Sequence, residues 1–219
     1  MGNFKEDIAR VRVIVLDVDG VMTDGGIIVT PEGEFIRKFH AKDGYALSYA
    51  MKRGYHVAII TGGRGRSLTV RFEMLGVEHV YTNCFHKIDA LHELMQKLDV
   101  QAEEILYMGD DIPDLECMKA VGIPVCPSDA ASEVIEASRY VSEFAGGHGC
   151  VRDIIEQVLR ARLGPRFPGH AQLEYRRVAV KPKSNERGCL KLLDSPFFIF
   201  QKQQELTTIE PSSSGKQFP

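Results

Sequence analysis

The sequence predicts an α/β fold, a doubly wound parallel sheet of the Rossmann-like kind. Three observations carry that expectation. Short β-branched runs recur at intervals, amphipathic helical patterns lie between them, and acidic and glycine residues collect directly after the runs. In open parallel sheets the ligand site lies beyond the carboxyl ends of the strands, so the third observation already says where to look for chemistry.

The first run, VRVIVLD at 11–17, is continuous and apolar, as a strand buried on both faces must be. Similar runs follow at YHVAII (55–60), HVYT (79–82), EILYMG (104–109) and GIPV (122–125). Helical spacing places Ile88, Leu91, Leu94, Met95 and Leu98 on one face of a helix. A second helix is expected after Asp114, carrying Leu115, Met118 and Val121. A third is expected over 151–163 through Ile154, Ile155, Val158 and Leu159. One insertion interrupts the alternation. IIVT and EFIRKF flank Pro31-Glu32-Gly33, which reads as a β-hairpin too short to be a domain.

The chain has 219 residues, 44% hydrophobic and 26% charged, enough for one domain with a full core. That domain is expected over 1–164. Beyond it the periodicity fades and Gly, Pro and Ser punctuate the chain, so 165–219 is expected to be a mostly disordered appendix, and deletion of 169–219 is expected to leave activity intact. The formal charge of −3 divides into +4 for 165–219 and −7 for the remainder. An acidic body argues against nucleic acid as a partner. No apolar run approaches the ~20 residues needed to cross a bilayer, and no secretory pattern precedes the first strand. Five cysteines without a CxxC pair read as free thiols in a reducing cytoplasm.

Four features after the apolar runs carry the chemistry. The first is D-V-D-G-V at 17–21, two carboxylates two residues apart with Gly20 allowing a sharp turn. Alone it is also the pattern of a simple turn or casual metal site. A carboxylate attacks a phosphate dianion only if a cation offsets the repulsion, and a second carboxylate can then serve as acid and base. The second is Thr61-Gly62-Gly63 after VAII, a hydroxyl and backbone N–H groups expected to cradle an anion at the start of the next helix. The third is Lys87, early in its helix, suited to neutralising phosphate charge. The fourth is G-D-D-I-P-D at 109–114, three carboxylates that repel one another unless a cation sits among them. Oxygen ligands without clustered His or Cys point to magnesium.

In this order, hhhDxDG, hhhTG, Lys and hhhGDDxxD, the chain resembles the haloacid dehalogenase superfamily of phosphatases over residues 11–163. The resemblance implies Asp17 as nucleophile, Asp19 as general acid and base, and Thr61, Gly62 and Lys87 as phosphate ligands. It also implies a Mg2+ site of Asp17, Asp19 (through its carbonyl) and Asp110, with Asp111 or Asp114 in support. Only 44 positions separate Asp17 from Thr61 and 23 separate Lys87 from Asp110, which leaves no room for the cap domain most members carry.

DVDGVMTDG, the hairpin, FHAKDGYAL (39–47) and GGHGCVRD (146–153) are similar to the capless 3-deoxy-D-manno-octulosonate 8-phosphate phosphatase family. That likeness implies a homotetramer with active sites completed across subunits. It also implies substrate contacts at His40, Lys42, Asp43, Gly44 and Arg71. Two positions depart from the family pattern. Gly63 stands where many relatives have Arg, so Arg64 is expected to take over, and His148 stands where Arg is frequent. A phosphatase for nonulosonate 9-phosphates is the nearest alternative. A non-catalytic assembly module is the alternative of another class, although it would be expected to have lost one of Asp17, Asp19, Lys87 or Asp110.

Overall fold

The computed structural model describes residues 4–163. The segment 165–219, and with it Cys189, lies outside the described residues. After a short helix α1 (Phe4–Ile8), the first apolar run forms β1 (Val13–Leu16), whose four residues are all buried. The insertion follows as a hairpin of β2 (Ile28–Val29) and β3 (Phe35–Ile36), and α2 (Ala41–Lys52) returns the chain to the sheet. Thereafter strands and helices alternate. They are β4 (His56–Ile60), α3 (Arg66–Leu75), β5 (His79–Tyr81), α4 (Lys87–Leu98), β6 (Ile105–Met108), α5 (Leu115–Ala120), β7 (Ile123–Cys126), α6 (Ser132–Ala137), β8 (Tyr140–Val141) and α7 (Cys150–Leu163).

The main sheet is parallel, in the order β5-β4-β1-β6-β7-β8. The chain winds outward from β1 through β4 to β5, then crosses back to lay β6 on the other side of β1. Val13 is therefore in register with His56 on one neighbour and Ile105 on the other. This reversal beside β1 opens the crevice that parallel sheets use for ligands.

Period-two alternation divides the strands between two cores. Ile14, Leu16, Val57, Ile59, Leu106 and Met108 face α2, α3 and α7, where Leu47, Phe72, Ile154 and Ile155 are buried. Val13, Val15, Ala58, Ile60, Ile105 and Tyr107 face α4 and α5, where Leu91, Leu94 and Met118 are buried. Each fully buried aliphatic side chain contributes about 1.5–3 kcal/mol. The five expected strands and three expected helices are all present. The sequence reading had not picked out α1, α6 or β8, each six residues or fewer. Among the described residues, no helix is long and apolar enough to cross a membrane. Cys117, Cys126 and Cys150 are buried free thiols, and Cys84 is free and partly exposed.

Candidate active site

Asp17 is the first residue beyond β1, and its N–H still donates to the Met108 carbonyl at 3.0 Å, carrying the ladder one step past the strand. Gly20 then turns the loop at φ +93°. A Cβ there would lie 2.0 Å from Asp110 Oδ2, so backbone conformation and close approach both demand glycine. The loop after β6 brings Asp110 and Asp114 to the same crevice. Asp17, Asp110 and Asp114 each offer a carboxylate oxygen within 4.8 Å of the others.

Lys87, the first residue of α4, reaches between them. Its Nζ lies 3.0 Å from Asp17 Oδ1 and donates to Asp114 Oδ1 at 2.7 Å. The Tyr107 hydroxyl donates to that same Asp114 oxygen at 2.7 Å, while Asp114 Oδ2 accepts the backbone N–H groups of Asp110 and Asp111. Asp114, unlike exposed Asp111, is therefore tied both to the lysine and to the loop backbone. It fixes the loop and the lysine, leaving Asp17 and Asp110 to face the crevice.

Three carboxylates crowd around one ammonium, and two of them, Asp17 and Asp110, have raised pKa values. Burial, then the Asp114 charge, pushes Asp17 up to about 7. Burial, then Asp17 and Asp114, pushes Asp110 up to about 8. Burial alone would lower Lys87, but its two carboxylate neighbours more than offset that and hold it above its ordinary value. Asp110 Oδ1 is buried with no hydrogen-bond partner. Excess negative charge, an orphaned carboxylate oxygen and an all-oxygen donor set fit a hard divalent cation.

Asp19 is oriented differently, although only two residues away. Arg37, just past β3, donates from Nε to Asp19 Oδ1 at 2.6 Å and from Nη2 to Asp19 Oδ2 at 2.9 Å. Its Nη1 donates to the Arg64 carbonyl at 3.2 Å. Thr61 is buried, and its hydroxyl accepts the Gly63 N–H at 3.0 Å. The expectation that this turn opens the next helix needs correction. Helix α3 begins only at Arg66, with Gly65 at its cap at φ +115°, so the Thr61–Gly63 amides belong to a free-standing turn. Gly62 is exposed on that turn.

The residues matched to substrate contacts form an outer rim. His40 Nδ1 lies 3.4 Å from Asp43 Oδ2 at the start of α2. Asp43 is almost fully buried and accepts the Arg152 N–H at 2.8 Å in the first turn of α7, and burial raises its carboxyl above the ordinary value. Asp43 therefore anchors the start of α7 with His40 close beside it. Arg71 lies over the Phe39 ring with its Nε buried and without a hydrogen-bond partner, and burial lowers its pKa. A Cβ on Gly44 would stand 2.3 Å from Arg71 Nη2, so Gly44 gives the guanidinium its space. Lys42 is exposed. Arg64 is also exposed and lies over the hairpin ring of Phe35 rather than reaching the carboxylates.

The glycine turn before α7 closes the far side. A Cβ on Gly146 would fall 1.9 Å from the Gly20 carbonyl oxygen, and the Gly147 N–H donates to the Val21 carbonyl at 2.9 Å. Backbone here packs directly on the loop that carries Asp17 and Asp19.

Sequence reasoning did not single out Arg37 or Tyr107. Tyr107 reads as one more apolar strand residue. Arg37 left a faint signal, because in FIRKF it falls at period two with Phe35 and Phe39, on the side of the segment that turns inward.

Comparison with known proteins agrees with this arrangement. A family model described as haloacid dehalogenase-like hydrolase matches residues 73–154. The 3-deoxy-D-manno-octulosonate 8-phosphate phosphatase of Yersinia pestis is 38% identical over 154 residues, covering 70% of this chain and 82% of the relative. Its crystal structure superposes with a TM-score of 0.71, covering 72% of this chain and 85% of that one at 37% identity. The Moraxella catarrhalis phosphatase of the same name, determined in complex with a magnesium ion, a phosphate ion and a KDO molecule, also gives 0.71, at 30% identity with coverage of 73% and 91%. With its carboxylates, lysine and strand order placed as described, the chain belongs to the 3-deoxy-D-manno-octulosonate 8-phosphate phosphatase family of the haloacid dehalogenase-like hydrolases.

Proposed function

We propose that the protein hydrolyses 3-deoxy-D-manno-octulosonate 8-phosphate to the free sugar acid and phosphate, supplying a lipopolysaccharide precursor in the cytoplasm. The observation that carries this reading is the convergence of Asp17, Lys87, Asp110 and Asp114 at the strand reversal. Membership of the family supplies the substrate.

In this reading Asp17 attacks phosphorus as the bond to the sugar oxygen breaks, and Asp19 gives its proton to the departing alkoxide. Water then attacks the aspartyl phosphate, Asp19 takes its proton, and phosphate leaves with Asp17 regenerated. Lys87 and the Thr61–Gly62 turn neutralise and hold the phosphoryl oxygens. The Asp17 and Asp110 carboxylates and the Asp19 carbonyl would hold a Mg2+, whose charge would offset the repulsion between a carboxylate and a phosphate dianion. Asp114 acts through Lys87 and the loop backbone. His40, Lys42, Arg64 and Arg71 are the groups proposed for the sugar-acid end, where a guanidinium suits a carboxylate.

Two further parts of the reading concern assembly. Ile27, Ile28, Val29 and Ile36 leave the hairpin with an exposed apolar face, which supports a tetramer built on hairpins, with neighbouring copies helping to close each site. Sedimentation of an active species near the 24.5 kDa monomer mass would overturn that part.

The activity is tested by phosphate release with Mg2+ from the octulosonate 8-phosphate, a nonulosonate 9-phosphate and generic sugar phosphates. Preference for the first is expected. Preference for the nonulosonate would keep the mechanism and change the pathway. Release from none would overturn the enzymatic reading.

A further inference from the structure

We propose that Arg37 is the positioning residue for Asp19, fixing its carboxyl group for proton transfer to the sugar oxygen. The inference rests on the phosphatase reading above. It gives a role to a buried cation that the reaction scheme does not otherwise use.

The argument starts from accessibility. The Arg37 side chain is 1% exposed, whereas that of Asp19 is 25% exposed. A guanidinium so enclosed is in no position to grip an incoming sugar, so its effect must pass through the groups it touches. All three of its nitrogens are engaged. Nε and Nη2 each hold one oxygen of Asp19, and Nη1 holds the carbonyl of Arg64. A two-point fork stops the carboxyl group from rotating about its terminal bond, which a single contact does not. Each carboxyl oxygen retains a second lone pair, so the accessible side of Asp19 can still carry the proton that leaves with the sugar oxygen.

The surroundings are shaped to this pair. A Cβ on Gly63 would lie 2.9 Å from Arg37 Nη2, 2.9 Å from Asp19 Oδ2 and 3.1 Å from Thr61 Oγ1. Glycine at 63 therefore leaves room for the ion pair against the phosphate turn. Ser67 adds a second strut, its hydroxyl donating to the Phe35 carbonyl at 2.7 Å and fixing the strand that Arg37 directly follows. The hairpin, the phosphate turn and the nucleophile loop are thereby joined at one guanidinium. Lysine could not reproduce this, because a single ammonium lacks the planar fork.

The chemistry gives a readout that a structural role would not move. Departure of a sugar alkoxide needs a proton from Asp19, while departure of 4-nitrophenolate does not. The value of kcat/KM reports the step in which the ester bond breaks and Asp17 becomes phosphorylated. The test compares Arg37→Met with the full-length parent on 3-deoxy-D-manno-octulosonate 8-phosphate and on 4-nitrophenyl phosphate, with Mg2+ present. General acid catalysis contributes about 10²–10⁴-fold, so a misplaced acid is expected to lower kcat/KM on the sugar ester by roughly 100-fold. On the aryl ester the loss is expected to stay within about threefold, since the acid's contribution is absent there. Arg37→Lys should fall between, with the same bias between substrates.

Equal losses on both esters would overturn the proposal, as would a loss confined to KM for the sugar or no loss at all. If Arg37→Met does not fold, Arg37→Lys makes the same test by removing the fork while keeping the charge, and the same selective loss, smaller in size, is expected. A parent enzyme inactive on the octulosonate ester but active on another sugar phosphate would sink only the substrate reading. The comparison with the aryl ester would then be made on that substrate.

Discussion

The inner and outer parts of the site are built in opposite ways. At the inner part, Asp17, Lys87, Asp110 and Asp114 come from the ends of β1 and β6 and the start of α4, and short, buried contacts tie Asp17, Lys87 and Asp114 together beside Asp110. At the outer rim, His40, Lys42, Arg64 and Arg71 come from the hairpin's continuation, the phosphate turn and two helices, and they rest on rings and partial contacts. The inner cluster is thus tightly tied, while the rim proposed for recognition is more loosely held. Changes at the inner part should act on kcat and on stability together. Changes at the rim should act mainly on KM.

The largest expected effect is at the centre. Asp17→Asn should lower phosphate release by roughly four orders of magnitude or more. Its metal-free form should melt no lower than the parent, because one of three crowded carboxylates is gone. Substantial turnover by the folded variant would sink the covalent mechanism. Lys87→Met follows. It leaves Asp17 and Asp114 without their buried counter-charge, so activity should fall by about 10²–10³. Urea unfolding should register a loss of about 3–5 kcal/mol. A variant that lost activity but not stability would break the claim that this region couples the two.

Metal removal gives the next effect, and its sign follows from the raised carboxyls. Asp17 and Asp110 move from an ordinary 3.8 to about 7 and about 8 in the folded protein. Between those limits the metal-free fold holds protons that the unfolded chain has released. Its stability is therefore fully present below about pH 4 and falls as pH rises to about 8. Chelator-treated protein should melt lower at pH 8 than at pH 5, and Mg2+ should raise the melting point more at the higher pH. The opposite trend would refute the carboxylate crowding.

At the rim, Gly44→Ala should cost about 1–3 kcal/mol through overpacking against Arg71. It should raise KM with little change in kcat. Adding Arg71→Ala should recover the stability but not the KM, a coupling that a double-mutant cycle measures. The smallest effect belongs to Lys42→Ala. Its exposed charge predicts a change within about ±0.5 kcal/mol in stability, and a KM increase of a few-fold at most.

The same contrast explains what could be read from the sequence. Asp17, Lys87 and the 110–114 carboxylates were legible because strand ends announce themselves locally, an apolar run followed by acid and glycine. The pairing of Lys87 with Asp114 spans 27 positions, and that of Asp43 with the Arg152 amide spans 109, so neither leaves a mark in either stretch alone. Arg37 escaped because its partner is chosen by how the hairpin folds back, which residue types do not reveal. The helix-start expectation for Thr61 failed for a related reason. Glycines 62, 63 and 65 delay α3 by several residues, and propensity does not place that boundary.

The seat of Gly146 on the carbonyl of Gly20 has a consequence for biosynthesis. A chain emerging from the ribosome presents Asp17 before any of the strands that pair with β1. The backbone that buttresses the loop, however, arrives some 126 residues later. The central strand also waits for β6 before both its edges are paired. Contacts of such separation form late, because the chain entropy they cost is repaid only when the distant partner is present. The loop that carries Asp17 and Asp19 is therefore synthesised ahead of most of the domain yet set among the last, so a nascent fragment that stops short of Gly146 lacks the backbone on which that loop rests.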